Sequence, residues 1–243
     1  MQASKSENNP RSGPLTALGG ILREIGFFVL GGFVGAIVLL WLFAKLSEEI
    51  FENEFTTLDV NFELWVHSFA NTGLDAFFNF FTTIGSVTGM LILTALTFGL
   101  LSWRRHFHSA WLLVLVVVGG TLITQVLKAL FRRPRPELWV GSGHRPTSFS
   151  FPSGHSTISL CFFGVLIWLG LKFLKTPLAR VGWTILMLFS ILMIGLSRIY
   201  FGVHYPTDVV GGFIAGSFWL ITVISGISLY DRIHHIQSKN LKF

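Results

Sequence analysis

Six apolar runs dominate this chain, at about 25–46, 83–103, 109–130, 156–174, 178–196 and 209–230. Each is long enough to cross roughly 30 Å of hydrocarbon. Lipid offers no partner to an unpaired backbone amide, so runs of this kind become helices. The expected fold is therefore all-α, a six-transmembrane-helix bundle. Only 12% of the 243 residues are charged and 51% are hydrophobic, whereas a soluble domain carries about a quarter charged residues. Residues 25–230 read as one membrane domain, preceded by a polar disordered tail over 1–24 and followed by a short tail over 231–243.

No charged start leads directly into a short apolar core, so the first span reads as a retained anchor and not as a removed signal peptide. Cys161 is the only cysteine, which excludes an internal disulfide and any multi-cysteine zinc site. Lysine and arginine give the orientation. With six spans both termini share a side, and that side holds Lys5, Arg11, Arg23, Arg104, Arg105, Lys172, Lys175, Arg180, Arg232, Lys239 and Lys242. It is assigned to the cytoplasm. The net charge of +6 is then mostly a basic cytoplasmic face, and no nucleic-acid partner is needed to explain it.

Three glycine pairs, Gly31 with Gly35, Gly85 with Gly89 and Gly212 with Gly216, have the spacing that lets helices approach closely. After the first span, Leu58, Phe62, Trp65, Val66 and Phe69 recur at helical spacing among polar residues, which predicts a short amphipathic helix on the outer surface. His67 on that helix reads as a surface residue.

Three polar clusters lie at ends of spans three to six. The third span ends in Lys128, a costly residue for lipid unless it snorkels or meets an anion. Pro134 and Pro136 then stop the helix and let Arg135 fold back towards Lys128. Arg132 and Arg133 read as interface markers, although on the outer side they run against the usual charge bias. The loop 137–150, with Trp139, Gly141, Gly143, His144, Arg145 and Phe149, has the length of a functional loop.

The next cluster is Pro152-Ser153-Gly154-His155, where a polar segment gives way to the fourth span. Free amides at a helix start attract anions, Gly154 permits close approach, Ser153 adds a hydroxyl, and His155 can exchange a proton near neutrality. An ordinary capping serine beside a surface histidine fits these residues equally well. The last cluster joins spans five and six: Ser197-Arg198, then His204, then Asp208. A carboxylate four residues after a histidine can hold one ring nitrogen and leave the other free to attack. It can also be a surface pair without chemistry.

All three clusters fall at the same ends of spans three to six. A helical bundle brings them to one face, with Lys128, Arg135 and Arg198 as fixed cations, an anion cradle at Ser153 and Gly154, and two histidines. That set suits a phosphoryl group in transfer.

The pattern Lys128, six residues, Arg135-Pro136; Pro152-Ser153-Gly154-His155; and Ser197-Arg198, five residues, His204, three residues, Asp208 resembles the three-part signature of the type-2 phosphatidic acid phosphatase superfamily. The likeness is to its bacterial membrane lipid phosphatases more than to its soluble vanadium haloperoxidases. The resemblance implies that His204 is a nucleophile forming phosphohistidine and that Asp208 orients it. It implies that His155 protonates the leaving oxygen and then activates water, while Lys128, Arg135, Ser153, Gly154 and Arg198 hold the phosphate oxygens. No cofactor and no metal are implied, because the cations take the role magnesium has elsewhere. The expected partners are a lipid phosphate or diphosphate and the surrounding membrane lipids, with the site at the outer face of the cell membrane. A phosphotransferase using the same intermediate and a non-enzymatic binder of anionic lipids remain as alternatives.

Overall fold

The computed structural model describes residues 14–138 and 147–240. Residues 1–13, and Trp139, Gly141, Gly143, His144 and Arg145 of the expected functional loop, lie outside them, as does Lys242. The described residues form eight helices and no strand. They are α1 (Pro14–Phe51), α2 (Thr56–His67), α3 (Thr72–Ile84), α4 (Val87–Trp103), α5 (Phe107–Phe131), α6 (Gly154–Phe173), α7 (Pro177–Tyr200) and α8 (Pro206–Asn240).

Five helices, α1, α5, α6, α7 and α8, contain stretches long and apolar enough to cross a bilayer. Helices α3 and α4, bent by 57° at their junction, are together long and apolar enough for a sixth if the pair is counted as one span. The fold is thus the expected all-α multi-pass bundle, with two differences in detail. Helix α1 begins at Pro14, inside the stretch read as a tail, and α8 continues to Asn240. Helix α3 has no counterpart in the sequence expectation, which began the second span at residue 83. Its start is set by Asn71, whose Oδ1 accepts from the amides of Gly73 and Leu74, both at 3.0 Å. Its end is set by Gly85 and Ser86; the Ser86 hydroxyl accepts from Gly89 N at 3.0 Å and starts α4 afresh.

Helix α6 occupies the centre, packed against α5, α7 and α8. Ile158, Cys161, Phe162 and Val165 of α6 are buried with Leu113 and Val116 of α5 and Ile191 and Ile194 of α7. Burial of such side chains stabilises by about 1.5–3 kcal/mol each. Close approach of α8 to α6 requires the glycine pair Gly212 and Gly216: a Cβ on Gly212 would stand 2.7 Å from Ser153 O, and one on Gly216 3.0 Å from Thr157 O. The pair Gly31 and Gly35 does not serve this purpose, since neither glycine has a neighbour within 4 Å of a Cβ position. Helix α1 lies along α8 on the outside of the bundle.

The surface helix α2 has the predicted apolar stripe, with Leu58, Phe62 and Trp65 facing outward, and Phe69 is exposed just beyond its end. Its opposite, acidic face is the buried one: Asp59 is 1% exposed and Glu63 0%.

Candidate active site

Helix α5 ends at Arg132, whose positive φ of 47° turns the chain before Pro134. The segment beyond lies against residues 148–150: Ser150 N donates to Arg133 O at 2.9 Å, and Ser150 Oγ to Pro134 O at 2.8 Å. This arrangement folds Arg135 back towards Lys128, as its prolines predict. Lys128 Nζ donates to the carbonyls of Phe149 and Ser150, while Arg135 Nη2 reaches the same Phe149 carbonyl at 3.3 Å. Two cations from the end of one helix thus converge on one peptide.

Ser153 N donates to Asp208 O at 2.9 Å, so the start of α6 is tied to the first turn of α8. The Ser153 hydroxyl is fully buried and has no hydrogen-bond partner among the described residues. His155 follows within the first turn. Its ring lies against the α3–α4 bend, where a Cβ on Gly85 would stand 3.2 Å from His155 Cδ2. Arg198, near the end of α7, donates through Nη1 to Thr82 Oγ1 on α3.

His204 sits in the short turn between α7 and α8 and is 2% exposed. Its Nδ1 is 3.3 Å from Asp208 Oδ2, and its Nε2 is 3.1 Å from Arg135 Nη1. A guanidinium can only donate, so Nε2 must be the bare nitrogen and Nδ1 must carry the hydrogen given to Asp208. Burial, and then the charges of Arg135, Arg198 and Lys128, push the imidazole well below the ordinary histidine value. At neutral pH it is therefore uncharged, with a lone pair available on Nε2.

A cavity of about 200 Å³ joins these groups, lined by Lys128, Arg135, Gly154, His155, Arg198 and His204. Asp208 lies behind His204 and is fully buried. The eight residues expected from the sequence are therefore in one place, six on the cavity wall and Ser153 and Asp208 immediately behind it. Three cations face a space whose wall, among the described residues, holds no carboxylate, which favours an anion of small size.

The sequence reading did not anticipate Arg133, Asp59 or Thr207. Arg133 Nη1 donates to Asp208 Oδ1 at 2.6 Å and to Thr207 Oγ1 at 2.8 Å, and its Nη2 donates to Asp59 Oδ2 at 2.8 Å. Its guanidinium also lies 4.3 Å from the centre of the Tyr205 ring. Burial lowers Arg133, but Asp208 and Asp59 outweigh this and hold it above the ordinary arginine value.

A family model for the PAP2 superfamily matches residues 109–230, half of the chain. The chain belongs to the PAP2 superfamily. All eight expected residues fall inside the matched region, which runs from the start of α5 into α8. Phosphatidylglycerophosphatase B of Bacillus subtilis (strain 168) is 36% identical over 121 residues, covering 49% of this chain and 57% of that protein. The undecaprenyl-diphosphatase of the same organism is 29% identical over 164 residues, covering 64% of this chain and 78% of that protein. The match to the first of these PAP2 relatives thus spans little more than half its length. In structure, the transmembrane PAP2 type phosphatidylglycerolphosphate phosphatase from Bacillus subtilis superposes with a TM-score of 0.72 at 27% identity, covering 79% of this chain and 96% of that one.

Proposed function

We propose that this protein is a membrane lipid phosphatase that hydrolyses phosphate monoesters or diphosphates of lipids through a phosphohistidine, without a metal ion. One observation carries the reading: a buried histidine, His204, whose Nε2 faces the guanidinium of Arg135, lines a cavity that also holds three cations and a second histidine.

In this reading the phosphate oxygens take hydrogen bonds from Lys128, Arg135, Arg198, the Ser153 hydroxyl and the amides around Gly154. His204 Nε2 attacks phosphorus, the N–P bond forms, and the bond to the leaving oxygen breaks. His155 gives that oxygen its proton, so the leaving group departs as an alcohol or as a lipid phosphate carrying one charge fewer. The imidazole then takes a proton from water, the resulting hydroxide attacks phosphorus, and the N–P bond breaks to free phosphate and His204. Asp208 accepts a hydrogen bond from Nδ1–H and balances the positive charge on the phosphorylated ring. The cations supply the charge neutralisation that a divalent ion would give, and they would repel one from this cavity.

The surroundings of the cavity fit a substrate that stays in the membrane. Its wall includes Gly85 and Val87 at the α3–α4 bend and Thr121 and Gln125 on α5. Val87 and Gln125 are exposed on the outside of the bundle, where lipid chains would lie. Helix α1 ends at the site end of the bundle and α8 starts there, so the described start of α1 and the described end of α8 lie towards the opposite face. The excess of lysine and arginine in the loops of that face supports a cytoplasmic side there and a site at the outer leaflet. The names of the relatives make phosphatidylglycerophosphate and undecaprenyl diphosphate the first substrates to assay.

The test is phosphate release from a panel of lipid phosphates by the purified protein in detergent with EDTA present. The wild type is expected to turn over, and His204→Ala and His155→Ala to lose turnover. Full activity in either variant, or restoration only by added divalent metal, contradicts the proposal.

A further inference from the structure

We infer that Asp59 of the surface helix α2 and Arg133 of the segment after α5 form a positioning pair that fixes Asp208 and, through it, His204. The inference rests on the assignment of His204 and Asp208 to the reaction, and it makes α2 a working part of the catalytic centre and not only an anchor.

Asp59 lies on a helix whose other side faces outward with Leu58 at 63% exposure and Trp65 at 57%, yet Asp59 itself is 1% exposed. A carboxylate buried in that position is costly unless it is fully paired. Its partners all belong to the catalytic end of the bundle. Asp59 Oδ1 accepts from Thr207 N at 3.0 Å, and Oδ2 accepts from Thr207 Oγ1 at 2.5 Å and Arg133 Nη2 at 2.8 Å. Thr207 N is one of the free amides at the start of α8, so Asp59 caps that helix from another element. The next residue of α8 is Asp208.

Arg133 completes the link. One prong of its planar fork holds Asp59 and the other holds Asp208, a division of labour that a lysine cannot reproduce. Asp208 consequently has each oxygen assigned. Oδ1 is taken by Arg133, and Oδ2 receives Tyr205 N at 3.0 Å and faces His204 Nδ1. With Oδ1 occupied, the carboxylate cannot rotate to offer another edge, and the imidazole is held with Nε2 towards Arg135. Loss of Asp59 would leave one prong of Arg133 empty and free the guanidinium to shift on Asp208.

Two measurements in detergent test this. In steady-state hydrolysis, Asp59→Asn and Arg133→Lys are each expected to lower kcat about 10- to 100-fold with KM within about threefold, the scale typical for partners one shell removed from the reacting group. Trp65→Ala, on the outward side of α2, is expected to keep kcat within about twofold. In NMR spectra of protein labelled with ¹⁵N-histidine, with His204→Gln used to assign the signal, the wild-type His204 is expected as the neutral Nδ1–H tautomer. Asp59→Asn is expected to change that signal, and Trp65→Ala to leave it. If Asp59→Asn leaves both kcat and the His204 signal as in wild type, or if Trp65→Ala reproduces its effects, the positioning role is wrong and Asp59 merely fastens the helix. If the wild type and His204→Ala release phosphate equally, the catalytic assignment fails on its own, while the tautomer signal still decides whether Asp59 governs His204.

Discussion

Nη1 of Arg135 stands 3.1 Å from Nε2 of His204. Because arginine has no acceptor, this one contact settles which nitrogen of the ring is bare and which faces Asp208. It also places a positive charge beside the lone pair that would attack phosphorus, where it lowers the basicity of the ring and, in the proposed reaction, would receive the oxygens of the incoming group.

Arg135→Ala is accordingly expected to lower kcat about 100- to 1,000-fold, the loss seen when one donor to a developing oxyanion is removed. Arg135→Lys keeps the charge but not the fork that also reaches Val203 O at 2.6 Å and Ser148 O at 2.7 Å, so it should recover only part of that loss. Steady-state phosphate release in detergent measures both.

Gly85 has no freedom to carry a side chain. A Cβ there would stand 2.5 Å from Ile194 Cγ2 and 3.2 Å from His155 Cδ2. Gly85→Ala is expected to displace His155 and reduce kcat at least about tenfold, since small misplacements of a reacting group are costly. The comparison is with Gly99→Ala, whose added methyl meets nothing within 4 Å and which should keep activity.

Much of this was legible before any coordinates. The apolar runs dictated helices because lipid allows little else, and the three motifs placed eight residues at one end of the bundle because each motif is local and each lies at a span end. Helix α3 was hidden because its phenylalanines blend into the apolar run that follows, and only the Gly85-Ser86 break separates them. Asp59, Arg133 and Thr207 were hidden for a different reason. Their bonds join positions 74 or more residues apart, and nothing in the spacing of α2 says that its acidic side, and not its apolar side, turns towards the protein. The recurrence of Asp59 and Glu63 one turn apart, opposite the apolar stripe, was the available sign.

Glu63 gives a pH prediction. It is fully buried, neither oxygen has a hydrogen-bond partner among the described residues, and burial first, then Asp59 and Asp208, raise it to about 8. In the unfolded chain it ionises in the ordinary carboxylate range. Between those two values the folded protein binds the extra proton, so this residue's contribution makes stability fall as pH rises through the window, by on the order of a few kcal/mol in all. Glu63→Gln cannot ionise and should abolish that slope. Thermal unfolding in detergent at pH 6 and pH 9 checks it: the wild type should lose more on going to pH 9 than the variant does.

The central claim is that phosphorus becomes bonded to His204. Rapid quenching of enzyme mixed with ³²P-labelled lipid phosphate, followed by denaturing electrophoresis, reads this directly. In the wild type quenched within the first turnover, label is expected on the protein, stable to alkali and lost in acid, as an N–P bond requires. In His204→Ala no label is expected. Label that persists in His204→Ala, or label that survives acid, would contradict the account.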